Sequence, residues 1–568
     1  MHNYRACLHI HRMAQYLKRI SKRDRPGTLC REARCRCEGS NTPGQTALLL
    51  IWESFVVSNV QPQVIVGSRT CADVLYLSLI DGQPMTSNDV VDLLVARHRA
   101  GLAIEVNHAA LSHLLHDGFV PPPLTVYRDI FAIGVDLRAE VKSGAVSFIR
   151  DFPFENRKSP LDGVPDTSTL LQRLGQATKA ACAQSREALL MLSSGLDSTS
   201  LAVAAKDAGR NDILCVTYGE SEDDPEVIVA RNTCRRLGLR HEPHLFDPRH
   251  LQIRADLVAY GESVPQPCTD PALPACISLV RQFGNSRNVI LDGSGNDYYF
   301  WRPPGRLDLL KTWLGLGRFP VVDRLRPLLP MQLRRERILA SPLELLLLNG
   351  VWLRYHESRR FYPEAVDTHK YWLRESGAHE FAREEFQHCL KMIYMGPAAF
   401  MLKTRNAAQA VGATARFPWA DDAVADYCFS LPEEARFDRK HRKSKTIIRQ
   451  MLWEALSYDA NVVGKHHFSF GKRNFLRHHL SFCRNEILGC TLWSRGVERT
   501  FQHLAGLLER GQQAENALLS MFMVSLWHNR WIQGKLPGLL RSHRPAGLRD
   551  PEERKAEDGS SGIRKLAS

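Results

Sequence analysis

The stretch ALLMLSSGLDSTSLAVAAKDAG, from Ala188 to Gly209, constrains the fold more than any other part of the chain. Its unbroken apolar start, Ala188–Leu192, predicts a buried strand. A polar turn follows, and then a helix whose apolar side chains share one face and end near a glycine suited to a C-cap: Leu201, Ala204, Ala205, Ala208 and Gly209. A buried strand that enters a helix through a tight turn is the building unit of an α/β sheet.

Two further apolar runs repeat this pattern. Asp212–Gly219 and Asn288–Gly293 predict buried strands, and helical periodicity lies between them. Alternating strands and helices predict a doubly wound parallel sheet, in which ligands bind beyond the carboxyl ends of the strands. Three polar segments fall at those ends, namely Ser193–Ser198, the loop after Tyr218, and Gly293–Asp297. We therefore expect one site built from three loops.

Changes of composition along the chain predict five segments. Residues 1–45 form a basic, loosely ordered leader, and residues 46–154 carry short strands separated by turn residues, as in an α+β layer with antiparallel strands. A polar linker is expected over 155–169, and an α/β domain with alternating strands and helices over 170–536. The charged end of the chain, 537–568, has the composition of a disordered tail.

Composition excludes several classes of protein. Lys and Arg outnumber Asp and Glu by 75 to 61, a net charge of +14, but without a nucleic-acid-binding signature we expect no nucleic-acid partner. No apolar run is long enough to span a membrane, and no signal peptide core is present, so a cytoplasmic location is expected. The 14 cysteines are then reduced thiols. Cys30, Cys35 and Cys37 lack the paired spacing of a structural zinc site, which favours the basic leader over the zinc alternative.

The residues of the first turn are suited to holding a phosphate. Gly195 lets backbone N–H groups point inward at a helix N-terminus, and the hydroxyls of Ser193, Ser194 and Ser198 add donors. Asp197 would repel a phosphate unless a divalent cation lay between them, so it predicts Mg²⁺. The Walker signature is absent, so γ-phosphoryl transfer is not expected. The alternative is an ordinary helix cap.

Several motifs, taken in order, resemble the asparagine synthetase superfamily. SSGLDSTSLA resembles its S-G-G-x-D-S pyrophosphate loop, and VILDGSGNDYYF resembles its V-V-L-x-G-E-G-A-D-E-L-F segment. The resemblance implies cleavage of ATP between its α- and β-phosphates. It also implies that Gly293 and Gly295 lie near the nucleotide and that Asp297, with Asp197, binds Mg²⁺.

Further motifs extend the resemblance over about Thr46–Gly471. ATARFPWADDAVADYCFSLP is similar to the family's E-A-R-V-P-F-L-D stretch, and GKHHFSFG to its R-x-K-x-x-F segment, which implies that Lys465 is the catalytic lysine. QPCTDPALP resembles a substrate-side stretch and makes Asp270 a substrate candidate. LLHDGFVPPPLTVYRDIFAIGVDL resembles the end of the N-terminal glutaminase-type domain. The implied fold is a degenerate glutaminase-like (Ntn-type α+β) domain followed by a PP-loop ATP pyrophosphatase (adenine nucleotide α-hydrolase-like) domain.

Two departures from the family pattern concern the nitrogen nucleophile. Glutamine-hydrolysing members begin Met-Cys-Gly, whereas this sequence begins Met-His-Asn, so glutamine-derived ammonia is not expected. Ser294 stands where asparagine synthetases carry a glutamate thought to handle that nucleophile, and a serine is no general base at neutral pH. His466 or its neighbour His467 is a candidate for the missing base.

These departures look most like the lasso-peptide macrocyclase branch. Such enzymes adenylate an Asp or Glu side chain of a precursor peptide and close it onto the peptide's N-terminal amine. The resemblance implies ATP and Mg²⁺ as cofactors, and as partners a precursor peptide, a leader-peptide-binding protein and a leader peptidase. The alternatives are a β-lactam synthetase, an ammonia-dependent asparagine synthetase and a non-catalytic scaffold.

Structural roles are expected for a last group of residues. The basic run RKHRKSK, Arg439–Lys445, is expected to be a solvent-exposed segment at the start of a helix. Three tryptophans are expected to pack in cores, and two aspartates to cap the helix that follows them: Trp352, Trp372, Trp453, Asp223 and Asp224.

Overall fold

A computed structural model of the chain describes residues 63–70, 72–135, 137–150, 165–183, 185, 187–285, 288–300, 321, 325, 352–378, 390–438, 440–441, 443–463 and 471–543.

The N-terminal part of the described chain consists of antiparallel strands and two helices. Its six strands are β1 (Gln63–Val66), β2 (Leu75–Ile80), β3 (Gln83–Ser87), β4 (Ile130–Ile133), β5 (Leu137–Lys142) and β6 (Ala145–Arg150). They form two antiparallel sheets with the orders β1-β5-β6 and β3-β2-β4. Helices α1 (Val90–Arg99) and α2 (His108–His116) lie between β3 and β4 in sequence, each capped at its start by an Asp or Asn side chain.

The central sheet is parallel. Its strands are β7 (Glu187–Met191), β8 (Leu214–Gly219), β9 (Arg240–Leu245), β10 (Asn288–Leu291) and β11 (Thr414–Arg416), in the order β11-β10-β7-β8-β9. All four pairings are parallel. The carboxyl ends of β7, β8 and β10 therefore meet at one edge, so the prediction of a parallel α/β sheet is confirmed.

Helices cover both faces of this sheet. Helix α3 (Thr167–Ala181) precedes the first strand of the sheet. Four helices connect later strands, namely α4 (Leu196–Asp207), α5 (Pro225–Leu237), α6 (Gln252–Ser263) and α7 (Leu273–Phe283). Successive strand residues point alternately into two apolar cores, so that Leu189 packs with α6 and α7 while Leu190 packs with α3, α4 and α5. Apolar runs buried on both faces are what a doubly wound sheet requires.

The remainder of the described chain is mainly helical. Its helices are α8 (Tyr355–Ser358), α9 (Thr368–Ala378), α10 (Leu402–Gln409), α11 (Asp422–Ser430), α12 (Glu433–Arg436), α13 (Thr446–Leu456), α14 (Ala460–Val463), α15 (Lys472–His478), α16 (Leu480–Leu488), α17 (Gly496–Glu509), α18 (Glu515–Trp527) and α19 (Leu536–Ser542). Wider π-helical turns occupy Leu390–Met401 and His528–Lys535, and a short hairpin pairs β12 (Phe437–Asp438) with β13 (Lys443–Ser444). Of the helices that the structure describes, none is long and apolar enough to cross a membrane.

The antiparallel layer shares a core with the helices of the central domain. Leu111 and Leu114 of α2 belong to the same apolar cluster as Phe522 of α18. The Tyr127 hydroxyl donates to the Pro265 carbonyl at 2.5 Å and accepts from Trp531 at 2.7 Å. The two parts therefore support each other through buried contacts.

Three expectations about local structure differ from what is observed. Helix α3 begins at Thr167, inside the segment predicted as a linker, because Asp166 caps it by accepting from Ser168 N and Thr169 N. Helix α19 occupies the first part of the predicted tail. The prediction of a core position for Trp453 is wrong, since this residue is 58% exposed on α13.

Three of the remaining structural roles agree with expectation, whereas Asp223 is exposed and is not the N-cap of α5. Trp352 and Trp372 are buried. Asp224 caps α5 by accepting from the Glu226 amide at 2.9 Å. The predicted N-terminal leader, which includes Cys30, Cys35 and Cys37, lies outside the described residues.

Candidate active site

The turn after β7 is held in shape by its own serines. The Ser198 hydroxyl accepts from Ser193 N at 3.0 Å and lies 2.8 Å from the Ser193 hydroxyl, which in turn accepts from Gly195 N at 3.1 Å. Ser198 is buried, and its contacts with Ser193 join the two ends of the loop. Gly195 is the N-cap of α4, and no side chain caps this helix. The first N–H groups of α4 are therefore left for a ligand, as at anion-binding helix termini.

The Ser194 hydroxyl is a buried polar group that a bound ligand could satisfy. The Ser194 side chain is 3% exposed, and its hydroxyl has no hydrogen-bond partner among the residues that the structure describes. Its backbone is fully engaged, because the amide donates to the Glu226 carboxylate and the carbonyl accepts from the Tyr458 hydroxyl at 2.6 Å. A buried hydroxyl without a partner costs about 1–3 kcal/mol, which a phosphate oxygen at this position would recover.

The turn after β10 lies directly against the turn after β7. At Gly293, an added Cβ would come within 2.8 Å of Ser198 N and 3.0 Å of the Asp197 carbonyl carbon, so only a glycine fits this approach. Gly295 has a φ of 111°, a conformation that side chains rarely adopt. Asn296 Nδ2 donates to Asp197 Oδ1 at 2.6 Å and joins the two turns. The predicted convergence of these loops is confirmed.

Lys445 binds both aspartates that the sequence assigned to Mg²⁺. Its Nζ lies 2.7 Å from both carboxylate oxygens of Asp197 and 2.7 Å from Asp297 Oδ1, and it donates to Asn296 Oδ1 at 3.0 Å. Lys445 is 8% exposed, and its backbone is left-handed, with a φ of 61°. Lys445 follows strand β13 directly and is the N-cap of α13.

The charge of Lys445 is fixed by its surroundings. Burial alone would lower the pKa of the ammonium, but the carboxylates of Asp197 and Asp297 outweigh that effect and raise the pKa above its usual value. Lys445 therefore remains a cation and is not a general base. The expectation that the whole run Arg439–Lys445 is solvated is wrong at its last residue, whereas Lys440, His441 and Lys443 are exposed as expected.

A divalent cation bound by the same oxygens would take the place of the Lys445 ammonium. Asp197 and Asp297 already converge on one positive charge, and Asn296 Oδ1 adds a neutral oxygen beside it. Carboxylate and carbonyl oxygens are the ligands that Mg²⁺ prefers, usually one or two carboxylates together with phosphate oxygens. Mg²⁺ held there would neutralise phosphate charge next to the loop serines.

Aromatic side chains from later parts of the chain support the two turns. Trp419 is buried and its indole N–H donates to the Asp197 carbonyl at 3.1 Å. The Tyr299 hydroxyl donates to the Trp419 carbonyl at 2.9 Å. The stretch that resembles the family's E-A-R-V-P-F-L-D segment thus contacts the site through its tryptophan.

A second group of polar residues lies at the end of β10. Asp292 is buried, and its Oδ1 accepts from Ser294 N at 2.7 Å and from the Ser294 hydroxyl at 2.6 Å, while Oδ2 accepts from the Thr404 hydroxyl. Burial opposes the charge of Lys403, but Asp270 and Asp292 attract it and raise the pKa of its ammonium. Asp270, the substrate candidate, also accepts from Ala272 N at 2.8 Å before α7.

Sequence reasoning missed several of these residues. The sequence patterns do not point to five residues of this region: Lys445, Asn296, Glu226, Trp419 and Lys403. Asn296 lies inside a quoted motif, but Lys445 sits in a basic run that has the composition of an exposed surface. The predicted catalytic Lys465 and the candidate base His466 lie outside the described residues, so both remain predictions. Among the described residues, no group of three or more His, Cys, Asp and Glu side chains is arranged to hold a metal ion.

Comparison with known proteins supports the architecture. Curated relatives include proteins named "Putative asparagine synthetase [glutamine-hydrolyzing]" from Mycobacterium bovis and Mycobacterium tuberculosis. Each is 24% identical over 232 residues, which is 40% of this chain and 35% of the relative, so the chain covers just over a third of the length of these proteins. The sequence pattern of asparagine synthase matches residues 169–529, from α3 to the π-helical turn after α18. This match spans more than half of the 568 residues, and the chain therefore belongs to the asparagine synthase family.

Proposed function

We propose that the chain is an ATP-dependent amide-forming ligase that closes a lasso peptide. In this proposal, the enzyme adenylates an Asp or Glu side chain of a precursor peptide, releases pyrophosphate, and joins the carboxyl group to the peptide's own N-terminal amine. The observation that carries the ligase part is the unpartnered hydroxyl of Ser194 at the uncapped start of α4.

The loop geometry supports binding of the ATP phosphates. Ser194 and the start of α4 follow the carboxyl end of β7, where ligands of such folds bind. Asp197 belongs to the same loop, and Lys445 Nζ lies 2.7 Å from both of its carboxylate oxygens and from Asp297 Oδ1. Mg²⁺ bound by the two aspartates would screen the phosphate charge and make the α-phosphorus easier to attack.

The chain's own residues have defined tasks in this scheme. Lys445 is a fixed cation that offsets negative charge on the departing pyrophosphate, since its charge does not depend on pH near neutrality. Preorganised positive charge of this kind typically lowers a barrier by about 3–4 kcal/mol. Lys465, the predicted catalytic lysine, is assigned to the acyl oxygen and to AMP as it leaves.

The choice of a peptide amine rests on Ser294. In a chain that uses free ammonia, we expect the glutamate of asparagine synthetases at this position, and Ser294 replaces it. An amine held on the same molecule as the activated carboxyl group gains from proximity, which can supply roughly 7–11 kcal/mol. The partners in this proposal are the precursor peptide, a leader-peptide-binding protein and a leader peptidase.

Synthetic linear peptides test the proposal. Each carries a free N-terminal amine and one Asp or Glu, and is incubated with ATP, Mg²⁺ and the full chain while pyrophosphate and product mass are followed together. We expect peptide-dependent pyrophosphate and a product lighter by one water. The matched control is the N-acetylated peptide, which should still support ATP–pyrophosphate exchange but give no cyclic product.

Other outcomes identify the alternatives. Pyrophosphate release with aspartate and ammonia alone would overturn the peptide assignment and make the chain an ammonia-dependent asparagine synthetase. Exchange with the acetylated peptide only, or activity that survives Asp197→Asn, would also contradict the proposal. No activity with either the peptides or aspartate and ammonia would favour the β-lactam synthetase or scaffold alternatives.

A further inference from the structure

The carboxylate of Asp292 is hydrogen-bonded to Ser294 in the turn after β10. Asp292 is 7% exposed and accepts three hydrogen bonds, two from Ser294 and one from the Thr404 hydroxyl. The Ser294 side chain is partly exposed, and its hydroxyl proton points at Asp292 Oδ1 over 2.6 Å. The hydroxyl of this partly exposed serine thus contacts a buried carboxylate.

Charged and titratable groups face Asp292 from each element packed against it. Lys403 of α10 lies close enough to interact with both Asp292 and Asp270, and Cys276 of α7 and Cys268 interact with the same lysine. Burial raises the pKa of the Cys276 thiol to about 12 and that of the Cys268 thiol further, so both thiols are neutral near pH 7. Asp270 and Lys403 therefore supply the charges around Asp292.

The position of this pair matches the chemistry of amide formation. Gly293, between the two residues, contacts the backbone of the loop after β7, and Asn296 contacts Asp197 in the same loop. A neutral amine that attacks an acyl-adenylate becomes positively charged at nitrogen and must lose a proton before the amide is stable. A base is needed within hydrogen-bond reach of that nitrogen.

We infer that Ser294 and Asp292 form a proton relay for the amine nucleophile, an inference that rests on the proposed ligase function. The amine nitrogen forms a bond to the acyl carbon, and the bond from that carbon to the AMP oxygen breaks, so AMP leaves with the electron pair. The nitrogen gives its proton to the Ser294 oxygen while the serine proton passes to Asp292 Oδ1. Asp292 acts through Ser294, and Thr404 and Lys403 position its carboxylate.

Asp292→Asn tests the relay with little change of shape. The amide oxygen of Asn can still accept from Ser294 N and from the Ser294 hydroxyl, but it cannot take up a proton. We expect ATP–pyrophosphate exchange with the linear peptides to stay within about threefold of wild type, because adenylation precedes the relay. Formation of the cyclic product should fall by about 100-fold or more, the usual effect of losing a general base.

Two measurements separate a proton relay from a merely structural role. In Asp292→Asn, product formation should rise steeply with pH, because hydroxide or buffer must then remove the proton, whereas exchange should not follow it. Ser294→Ala should behave like Asp292→Asn, and Ser294→Thr, which keeps the hydroxyl, should restore most of the product.

A similar Asp-x-Ser turn elsewhere serves as the control. Asp166 accepts from Ser168 N at 3.0 Å and from the Ser168 hydroxyl at 2.6 Å, but it only caps α3. Asp166→Asn should leave the ratio of product to exchange unchanged. Wild-type product levels in Asp292→Asn, or equal loss of exchange and product, would overturn the relay alone. Absence of exchange in the wild-type chain would overturn the proposed function and the relay together.

Discussion

At the scale of single residues, a substitution of Ser194 distinguishes an effect on ATP binding from an effect on stability. The Ser194 hydroxyl is buried and lacks a partner among the described residues, so Ser194→Ala removes an unsatisfied polar atom from the folded chain. We expect the melting temperature to stay the same or rise slightly, since such an atom costs about 1–3 kcal/mol. The KM for ATP should rise about 10- to 100-fold, as expected for a lost hydrogen bond to a charged group.

Thermal melting and initial rates at varied ATP check this expectation. The control is Ser200→Ala, because the Ser200 hydroxyl is buried too but donates to the Asp197 carbonyl at 2.8 Å. That variant should lose stability. An unchanged KM in Ser194→Ala would show that the hydroxyl does not meet the nucleotide.

Residue types in a local pattern predicted one half of the site and missed the other. Ser193–Ser198 and Asp297 could be found because each follows an apolar strand run, and parallel strands bring such turns together. Lys445 could not be found in this way. It reaches Asp197 from 248 positions away through a short hairpin and a left-handed backbone, neither of which leaves a periodic signal in the sequence.

At the scale of elements, the site depends on how closely the turn after β10 approaches the turn after β7. Gly293→Ala would place a Cβ within 2.8 Å of Ser198 N, and a backbone atom cannot move aside as a flexible side chain does. We expect a loss of about 1–3 kcal/mol of stability, as for other overpacked positions. ATP–pyrophosphate exchange should fall strongly, because the two turns can no longer meet.

A second glycine provides the control for this change. Gly538 in α19 has open space where a Cβ would lie, so Gly538→Ala should keep full exchange and gain up to about 1 kcal/mol of stability. Denaturant unfolding measures the stability of both variants, and the exchange assay measures their ATP–pyrophosphate exchange. Normal exchange in Gly293→Ala would contradict the close contact between the turns.

Element boundaries show where sequence patterns are weakest. Strands β7, β8 and β10 were expected within two residues of their observed ends because each is a continuous apolar run. Strand β11 has three residues, two of them exposed, and was not recognised because an edge strand of that kind has no apolar pattern. Its pairing with β10 nevertheless completes the sheet at the end nearest the site.

At the scale of the whole molecule, buried histidines make stability depend on pH. His116 bonds to Thr368 and Ser358, and burial lowers its pKa to about 4; burial also lowers the pKa of His528 to about 4. In the unfolded chain both titrate near 6.5. Between these values the unfolded chain takes up protons that the folded chain does not, so stability is greatest above about pH 6.5 and falls as pH drops towards 4.

The His116 contribution can be isolated with a side chain that does not titrate. His116→Gln should have a smaller difference in melting temperature between about pH 7 and about pH 4.5 than wild type, since one such histidine accounts for at most about 3 kcal/mol. An equal acid response in His116→Gln would rule out this explanation.

The fate of a labelled carboxylate oxygen tests the central claim of the account most directly. A linear peptide with a free N-terminal amine and an ¹⁸O-labelled Asp or Glu side chain is incubated with ATP, Mg²⁺ and the full chain, and the masses of the nucleotide and phosphate products are measured. If the carboxylate attacks the α-phosphorus of ATP on the Ser193–Ser198 loop, one labelled oxygen appears in AMP and none in pyrophosphate. Label in inorganic phosphate together with ADP, or cyclic peptide without labelled AMP, would contradict the account.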